Sequence, residues 1–291
     1  MIWKLRRGNL DLSQTALVMG ILNVTPDSFS DGGRHSSLDA ALNHARQMIC
    51  EGAAIIDIGG ESTRPGALSV SATDEIKRVI PIVSALRAEW DGLISIDTSK
   101  AEVAAEALAA GASIVNDVSG LRADLAMPEV CASWNCGVVV MHMQGDPRTM
   151  QVSPKYSDVI TEVKQFFIER MAYLTERGIS QEALCFDPGI GFGKSLNHNL
   201  ALLRELREIS PENRPLLLGV SRKAFIGKLL GNDDFALRDW PTVAITARTR
   251  EQGVMLHRVH EVKANVETLR MTEAILGVRK NATDRPLNWE P

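Results

Sequence analysis

One pattern recurs along most of the chain: a short apolar run ends in a polar side chain and leads into a helix. Residues 93–100, LISIDTSK, are the clearest case, because an apolar-biased run ends there at Asp97 and a polar Thr-Ser pair follows. An apolar run this short, bounded by polar residues, predicts a strand that is buried on both faces of a sheet. A carboxylate at the end of such a strand is costly to bury unless polar partners surround it. The repeat therefore predicts a polar site at the strand ends.

Eight such runs alternate with helical patterns. The predicted strands cover 16–24, 53–58, 93–96, 113–115, 138–141, 184–186, 215–220 and 254–259. The predicted helices cover 38–50, 123–134, 155–177, 198–209, 224–230, 241–252 and 262–277. Another helix begins near Ser71, whose three-residue spacing to Asp74 resembles a capping box. An Ala-rich helix follows the strand at 93–96 and ends at Gly111.

Parallel strands need crossover connections, which are almost always right-handed, and eight βα units close into a barrel. The fold class we predict is a (β/α)8 TIM barrel in a single domain over 1–291, with 1–15 as an N-terminal extension and about 279–291 as an irregular tail. A doubly wound open sheet is the alternative.

Composition narrows the function class. The chain of 291 residues is 45% apolar and 23% charged with a net charge of −4, which argues against nucleic acid as the main partner. The N-terminus has no apolar signal region, and no apolar run could span a bilayer, so we expect a cytoplasmic protein. The cysteines lack metal-site spacing and are expected to be buried thiols in a reducing compartment; they are Cys50, Cys131, Cys136 and Cys185.

In a barrel of this kind, reactive groups collect at the C-terminal ends of the strands. Here those ends supply Asn23, Asp57, Glu61, Thr63, Asp97, Asn116, His142, Asp187, Lys223, Arg258 and His260. Each has an ordinary structural interpretation: Asp97 or Thr98 could cap a helix, Asn116 could lie in a turn, and Lys223 and Arg258 could be surface charges. We expect His142 to be a core histidine. The other structural interpretations together would require polar residues to recur at one place by accident.

The strand-end residues suggest two kinds of ligand. Asp97, Asn116 and Asp187 offer carboxylate and amide oxygens and Lys223 adds a donor, which suits a flat heterocycle with an amino-pyrimidinone edge. Cationic and polar groups suited to phosphate oxygens or hydrated Mg²⁺ come from Asn23, Arg258 and His260.

The Gly-rich stretch at 189–195, GIGFGKS, does not fit a nucleotide-binding motif. Pro188 stands where a Walker loop needs its first glycine, and Lys194 stands where the dinucleotide fingerprint needs its third. We expect a tight strand-to-helix loop beside the ligand.

Eight motifs in chain order resemble the dihydropteroate synthase family. They cover nearly the whole chain and are NVTPDSFSDGG (23–33), GGESTRPGA (59–67), SIDTSK (95–100), GASIVNDVSG (111–120), VVMHMQG (139–145), DPGIGFGK (187–194), GVSRK (219–223) and RVH (258–260). The resemblance implies a barrel enzyme of folate biosynthesis that joins 4-aminobenzoate to a dihydropterin diphosphate with bound Mg²⁺ and releases diphosphate. It also implies a homodimer and competition by sulfonamides.

The resemblance implies a role for each matching residue. Pterin would be held by Asp97, Asn116, Asp187 and Lys223, with Met141 and Gly219 as pocket wall. Diphosphate and pterin would both be contacted by Thr63, Arg258 and His260, and diphosphate and metal by Asn23. The catalytic set is then Asn23, Lys223, Arg258 and His260. Aminobenzoate would lie against Phe29, Arg64, Pro65, Phe192 and Ser221, on loops (25–36 and 62–70 among them) that close over the substrates.

The chain departs from the family pattern at two places. Glu261 follows His260 where Asp is usual, and 238–242 reads RDWPT where a small Gly/Ser pair is commoner, in a region associated with dimer packing. Three other functions remain open at this point: a pterin-binding methyltransferase, a non-catalytic pterin-binding paralogue, and a phosphate-handling barrel such as an aldolase. In an aldolase, Lys223 would form an imine with a carbonyl substrate.

Overall fold

The structure, a computed structural model, describes residues 1–24, 34–62, 69–145, 149–232 and 234–278, and for 34–37 the backbone only. Within these residues the strands are β1 Ile2–Leu5, β2 Gly8–Asp11, β3 Leu17–Asn23, β4 Ile55–Gly59, β5 Leu93–Asp97, β6 Ile114–Asp117, β7 Gly137–Met141, β8 Leu184–Asp187, β9 Leu217–Leu218 and β10 Leu256–Val259.

The helices in the same residues alternate with the strands from β3 onward. They are α1 Arg34–Cys50, α2 Ala72–Glu89, α3 Ala101–Ala110, α4 Met127–Trp134, α5 Val159–Glu176, α6 Leu196–Arg204, α7 Leu206–Ile209, α8 Ala224–Leu230, α9 Asp239–Glu251 and α10 Val262–Ile275. Short 3-10 turns lie at Gln181–Ala183, Pro211–Asn213 and Ala236–Arg238.

The eight strands β3 to β10 form one parallel sheet that closes on itself. Neighbouring strands pair in chain order from β3 to β8, and β10 pairs with both β3 and β9. A parallel bridge between Phe186 and Leu216 joins β8 to the segment that leads into β9 and so completes the circle. The predicted (β/α)8 barrel is confirmed, and the open-sheet alternative is wrong.

An antiparallel hairpin, β1 and β2, precedes the barrel in the region predicted only as an extension. Buried and exposed side chains alternate along the hairpin strands. Trp3 is fully buried, and its indole N–H donates to the carbonyl of Ala183 at 2.8 Å. A side chain on Gly137, at the start of β7, would come within 2.3 Å of Leu5. The hairpin therefore packs against the N-terminal ends of barrel strands, away from the polar strand ends.

Several predicted helices begin or break at different residues, because side-chain caps were not identified from the pattern. Helix α5 begins at 159 rather than 155, since the carboxylate of Asp158 accepts from the next amides. The helix predicted over 198–209 begins at 196 after the Ser195 cap and breaks at Glu205 into α6 and α7. The Ser71 cap is confirmed: its hydroxyl accepts from the Asp74 amide.

The cysteines are free, as expected, but they are not all buried. Cys131, Cys136 and Cys185 lie in the core, whereas Cys50, the last residue of α1, is exposed, so that part of the prediction is wrong. Among the described residues, no helix is long and apolar enough to cross a membrane.

Candidate active site

Residues at or next to the C-terminal ends of four neighbouring strands lie in one row across the sheet. Asn23 is paired in register with Gly59, Gly59 with Asp97, and Asp97 with Asn116. A Cβ built on Gly59 would lie 3.4 Å from the Cβ of Asp97, so the two neighbouring positions share one face of the sheet. The barrel therefore brings the predicted pterin and metal residues of these strands to a single rim.

The two-residue period of a strand separates Asn116 from its neighbour Asp117. Asn116 shares its face with the other strand-end groups, and its amide donates to Asp57 at 3.1 Å. Asp117 accepts instead from the Ser99 hydroxyl at 2.5 Å and from the backbone amides of Ser119 and Leu121. It organises the turn after β6 and does not face the mouth.

Arg258 on β10 joins two carboxylates across the mouth. Its Nε donates to Asp57 Oδ2 and its Nη2 donates to Asp97 Oδ2, each at 2.6 Å. Asp57 is fully buried, and its second carboxylate oxygen has no partner among the described residues. Arg258 is therefore no surface charge: two acidic groups fix it in the mouth.

The role of Asp57 was not found from the sequence, although it stood among the strand-end residues. It contacts Arg258 and Asn116 at once, so it sets the orientation of two residues predicted to meet substrate. The strand period carried a signal for this role. Asp57 lies two residues before Gly59 and therefore on the same face of β4, one residue pair further into the barrel than Asp97.

Burial and charge change the protonation of this pair. Burial raises the pKa of Asp97 to about 7, although the Arg258 guanidinium opposes the shift. Burial by itself would lower the pKa of Arg258, but the carboxylates of Asp57 and Asp97 outweigh that effect and raise it. The arginine stays charged, and Asp97 becomes a group whose ionisation depends on pH near neutrality.

Asp187 and Lys223 face the same mouth from β8 and from the loop after β9. A Cβ on Gly219 would lie 3.6 Å from Asp187 Oδ2, 3.8 Å from Lys223 Nζ and 3.9 Å from the Cβ of Arg258, so these three groups surround it. Burial raises the pKa of Asp187, and burial lowers the pKa of Lys223 to about 8 against the opposing effect of Asp187. Gly219 leaves open the space beside the acidic and basic groups.

An aromatic and thioether surface adjoins Lys223. Its ammonium lies 4.6 Å from the centroid of the Phe192 ring, which is the distance of a cation–π contact. Phe192 packs against a small buried group of Met141, Met143 and Met150. The mouth therefore offers an apolar face, suited to an aromatic ring, next to its charged groups.

His260 and Ser221 form a second polar pair on this side. The Ser221 hydroxyl accepts from the backbone amide of His260 at 3.1 Å and lies 2.9 Å from Nδ1 of its ring. The residue between Ser221 and Lys223, Arg222, has a left-handed backbone with φ 58° and pairs with Asp239 at 2.7 Å and 2.9 Å. That ion pair uses one of the residues that depart from the family pattern.

Two strand-end candidates, His142 and Glu61, have other partners. His142 is a buried core histidine, as expected, and its Nδ1 lies 2.9 Å from the ammonium of Lys194. Glu61 pairs with Lys100, which also holds the fully buried Glu75 at 2.5 Å. The remaining predicted site residues lie outside the described residues: Phe29, Thr63, Arg64 and Pro65.

The described side chains include no cluster of three or more His, Cys, Asp or Glu that could hold a metal by itself. Asn23 offers one amide oxygen at the rim, half-buried at the end of β3. Such a donor fits Mg²⁺ only where substrate phosphate oxygens and water complete the coordination, which is the usual arrangement for this ion.

The profile of a family described as "Pterin binding enzyme" matches residues 19–260. The dihydropteroate synthase of Escherichia coli (strain K12) is 50% identical over 273 residues, which is 94% of this chain and 96% of that protein.

Solved structures agree with these matches. The Yersinia pestis dihydropteroate synthase, in a sulfonamide drug complex, superposes with a TM-score of 0.89 at 46% identity and covers 95% of this chain and all (100%) of that one. The Xanthomonas albilineans dihydropteroate synthase with 4-aminobenzoic acid gives a TM-score of 0.88 at 41% identity over 96% and 100% of the two chains. With its barrel, its strand-end groups and these matches along nearly its whole length, the chain belongs to the dihydropteroate synthase family of pterin-binding enzymes.

Proposed function

We propose that this protein condenses 4-aminobenzoate with (7,8-dihydropterin-6-yl)methyl diphosphate to give 7,8-dihydropteroate and diphosphate. The observation that carries the proposal is the grouping of Asp97, Asn116, Asp187 and Lys223 around one barrel mouth in a chain of this family. The reaction breaks the C–O bond to the leaving diphosphate and forms a C–N bond to the arylamine, which then loses one proton.

Recognition of the pterin follows from donor and acceptor matching. The amino-pyrimidinone edge presents N–H groups that need acceptors, and Asp97 and Asp187 are carboxylates held at the mouth. Asn116 adds an amide and Lys223 a donor for ring nitrogen or carbonyl oxygen. Charge-assisted hydrogen bonds of this kind contribute about 1.5–3 kcal/mol each, so four such residues could fix a flat ring in one orientation.

The leaving group gains negative charge as its bond to carbon breaks. Arg258 lies on β10, next to β3, which ends at Asn23, and His260 follows β10. We propose that the diphosphate lies beside these three residues. The pterin ring, held by carboxylates, can delocalise the positive charge left on the methylene carbon. An arylamine is neutral at pH 7, so it can attack without a strong general base, provided that water is kept out.

We further propose Mg²⁺ as the cofactor, held by Asn23 together with the substrate diphosphate. When bound there, the ion would supply Lewis-acid stabilisation of the departing diphosphate. Support comes from the position of Asn23, a partly exposed amide at the end of β3 on this rim. Removal of divalent ions with EDTA should stop turnover but leave the binding of a pterin without diphosphate unchanged.

The 4-aminobenzoate site is proposed next to the pterin, against Phe192 and Ser221, and Thr63, Arg64 and Pro65, which follow β4 in the sequence, are proposed to contribute to it. The apolar ring of Phe192 beside a cationic lysine suits an aromatic carboxylate. Because the Yersinia pestis relative was solved with a sulfonamide drug, we propose that sulfonamides compete for this site here as well.

We also propose a homodimer that works in the cytoplasm. Large apolar side chains are exposed around α8 and α9, with Leu229 at 56%, Leu237 at 53% and Trp240 at 77% exposure, and such a patch is typical of an interface. A second copy would cover it. Trp240→Ser should then shift the protein from dimer to monomer in sedimentation; a monomeric wild type would contradict the dimer.

The proposed location in the cytoplasm is supported by the cysteines, because four free thiols fit a reducing compartment.

The decisive experiment is turnover by purified protein. With both substrates and Mg²⁺, mass spectrometry should detect dihydropteroate and a phosphate assay should find diphosphate in equal amount. Folded protein that binds the pterin diphosphate but gives no product would make it a non-catalytic pterin-binding paralogue and refute the proposal.

A further inference from the structure

Lys194 is a buried lysine that the proposed mechanism does not use. Its side chain is 2% exposed, and its Nζ lies 3.0 Å from the carbonyl of Phe192, 3.3 Å from the carbonyl of His142 and 2.9 Å from His142 Nδ1. Burial lowers the pKa of Lys194 well below its usual value, and burial together with Lys194 lowers the pKa of His142 to about 2. The imidazole is therefore neutral, and Nδ1 can accept when Nε2 carries the proton.

A buried amine of this kind is expensive, and an apolar side chain of the same length would cost less. None of the ion pairs formed among the described residues includes Lys194. What the side chain supplies is a set of hydrogen bonds to two carbonyls in different segments. It joins the loop after β8 to the loop after β7.

The loop after β8, residues 188–194, packs backbone against backbone. Gly189 and Gly193 have left-handed φ of 64° and 60°, and a Cβ on either would come within 1.9 Å and 2.5 Å of carbonyl oxygens of His142 and Gln144. No side chain can fill this contact, so hydrogen bonds fix the loop. Besides Lys194, Tyr156 contributes through its hydroxyl, which donates to the Gly193 carbonyl at 2.9 Å.

The same loop holds Lys223. Its ammonium donates to the carbonyl of Ile190 at 2.5 Å and lies over the Phe192 ring. A shift of the loop would therefore move an acceptor and an aromatic face that both contact Lys223.

We infer that Lys194 is a positioning residue for the aromatic half of the site: together with His142 it fixes loop 188–194, so that Phe192 and the Ile190 carbonyl meet Lys223. The inference rests on the proposed synthase function, because Phe192 is there the surface for 4-aminobenzoate. Because Lys194 is almost fully buried, we infer that it acts through the loop and not by direct contact with substrate.

The test compares Lys194→Met with Arg214→Met. Arg214 is a matched control: it is a buried cation, 9% exposed, that donates to the carbonyls of Ile2, Glu182 and Leu184 at the opposite end of β8. Both variants should unfold at lower temperature than wild type. Lys194→Met should raise KM for 4-aminobenzoate about tenfold with less than a threefold change in kcat, whereas Arg214→Met should leave KM within twofold.

Unchanged KM in Lys194→Met, or an equal rise in both variants, would overturn the inference. If Lys194→Met does not fold, Tyr156→Phe removes one bond to the same loop and keeps the ring; it should raise the same KM two- to threefold, and no rise would overturn the inference. The proposed function fails separately, because wild type would then give no dihydropteroate in the same assay.

Discussion

Replacement of Asp97 by Asn should weaken pterin binding far more than it weakens the fold. Asp97 offers two carboxylate oxygens, one of which accepts from Arg258 at 2.6 Å. Asn has one oxygen and one NH₂ group. If the oxygen keeps the Arg258 contact, the NH₂ faces the N–H donors of the pterin edge.

The expected loss can be worked from these contacts. One charge-assisted hydrogen bond is worth about 1.5–3 kcal/mol, and a donor left without an acceptor costs about 1–3 kcal/mol more. The sum, about 2.5–6 kcal/mol, corresponds to a loss of affinity of roughly 70-fold to 25,000-fold. Isothermal titration calorimetry with the pterin diphosphate measures it directly.

Asp117→Asn is the matched control, because Asp117 is a buried aspartate at the end of the next strand that bonds to Ser99 and to the turn after β6 and does not face the mouth. It should lose stability but keep pterin affinity within threefold. Native affinity in a folded Asp97→Asn variant, or an equal loss in both variants, would refute the assignment of Asp97.

The same residue predicts a pH dependence. With a folded pKa of about 7 for Asp97, the ionised acceptor is lost as pH falls below neutrality, so pterin affinity should rise up to about pH 7 and then level off. Because the pKa is raised above its unfolded value of about 3.9, the folded state binds more protons between the two values. This group alone therefore makes the free energy of unfolding fall as pH rises through that window. The break near pH 7 should vanish in Asp97→Asn.

Three further outcomes are expected. Gly219→Val should fold, yet lose about 1–3 kcal/mol of pterin affinity in calorimetry, because its side chain fills the space beside Lys223; unaltered affinity would place the ring elsewhere. Arg258→Met should destabilise the fold by about 3–5 kcal/mol in urea by leaving the buried Asp57 carboxylate unpaired, and adding Asp57→Asn should recover part of it; no recovery would contradict the pairing. Trp3→Ala should cost about 3–5 kcal/mol of stability with KM values retained at low temperature, and a changed KM would mean that the hairpin influences the mouth.

Much of this architecture could be predicted because the strands are buried on both faces and so appear as apolar runs. The polar residues that end those runs were identified for the same reason, and the barrel brings Asn23, Asp97, Asn116 and Arg258 to one rim. Local sequence patterns cannot predict which of these groups form hydrogen bonds and ion pairs with each other. Arg258 reaches Asp57 and Asp97 across 201 and 161 positions of sequence, and only closure of the barrel makes them neighbours.

Two misses have local causes. The hairpin carried a signal, since Trp3 and Leu5, then Leu10 and Leu12, alternate with polar residues around Gly8, but the segment was treated as an extension. Helix starts were placed too early or too late where a capping side chain decided the first turn, as Asp158 does for α5. Lys194 could not be assigned from pattern at all, because its acceptors are backbone carbonyls from two loops.

The most direct measurement is a crystal structure of the protein with the pterin diphosphate bound. The account predicts a flat ring in the mouth within hydrogen-bond distance of the Asp97 and Asp187 carboxylates and of Asn116, with the diphosphate on the Arg258 and His260 side. A ring bound away from these groups, with the Arg258 ion pairs to Asp57 and Asp97 untouched and solvent between them, would contradict it.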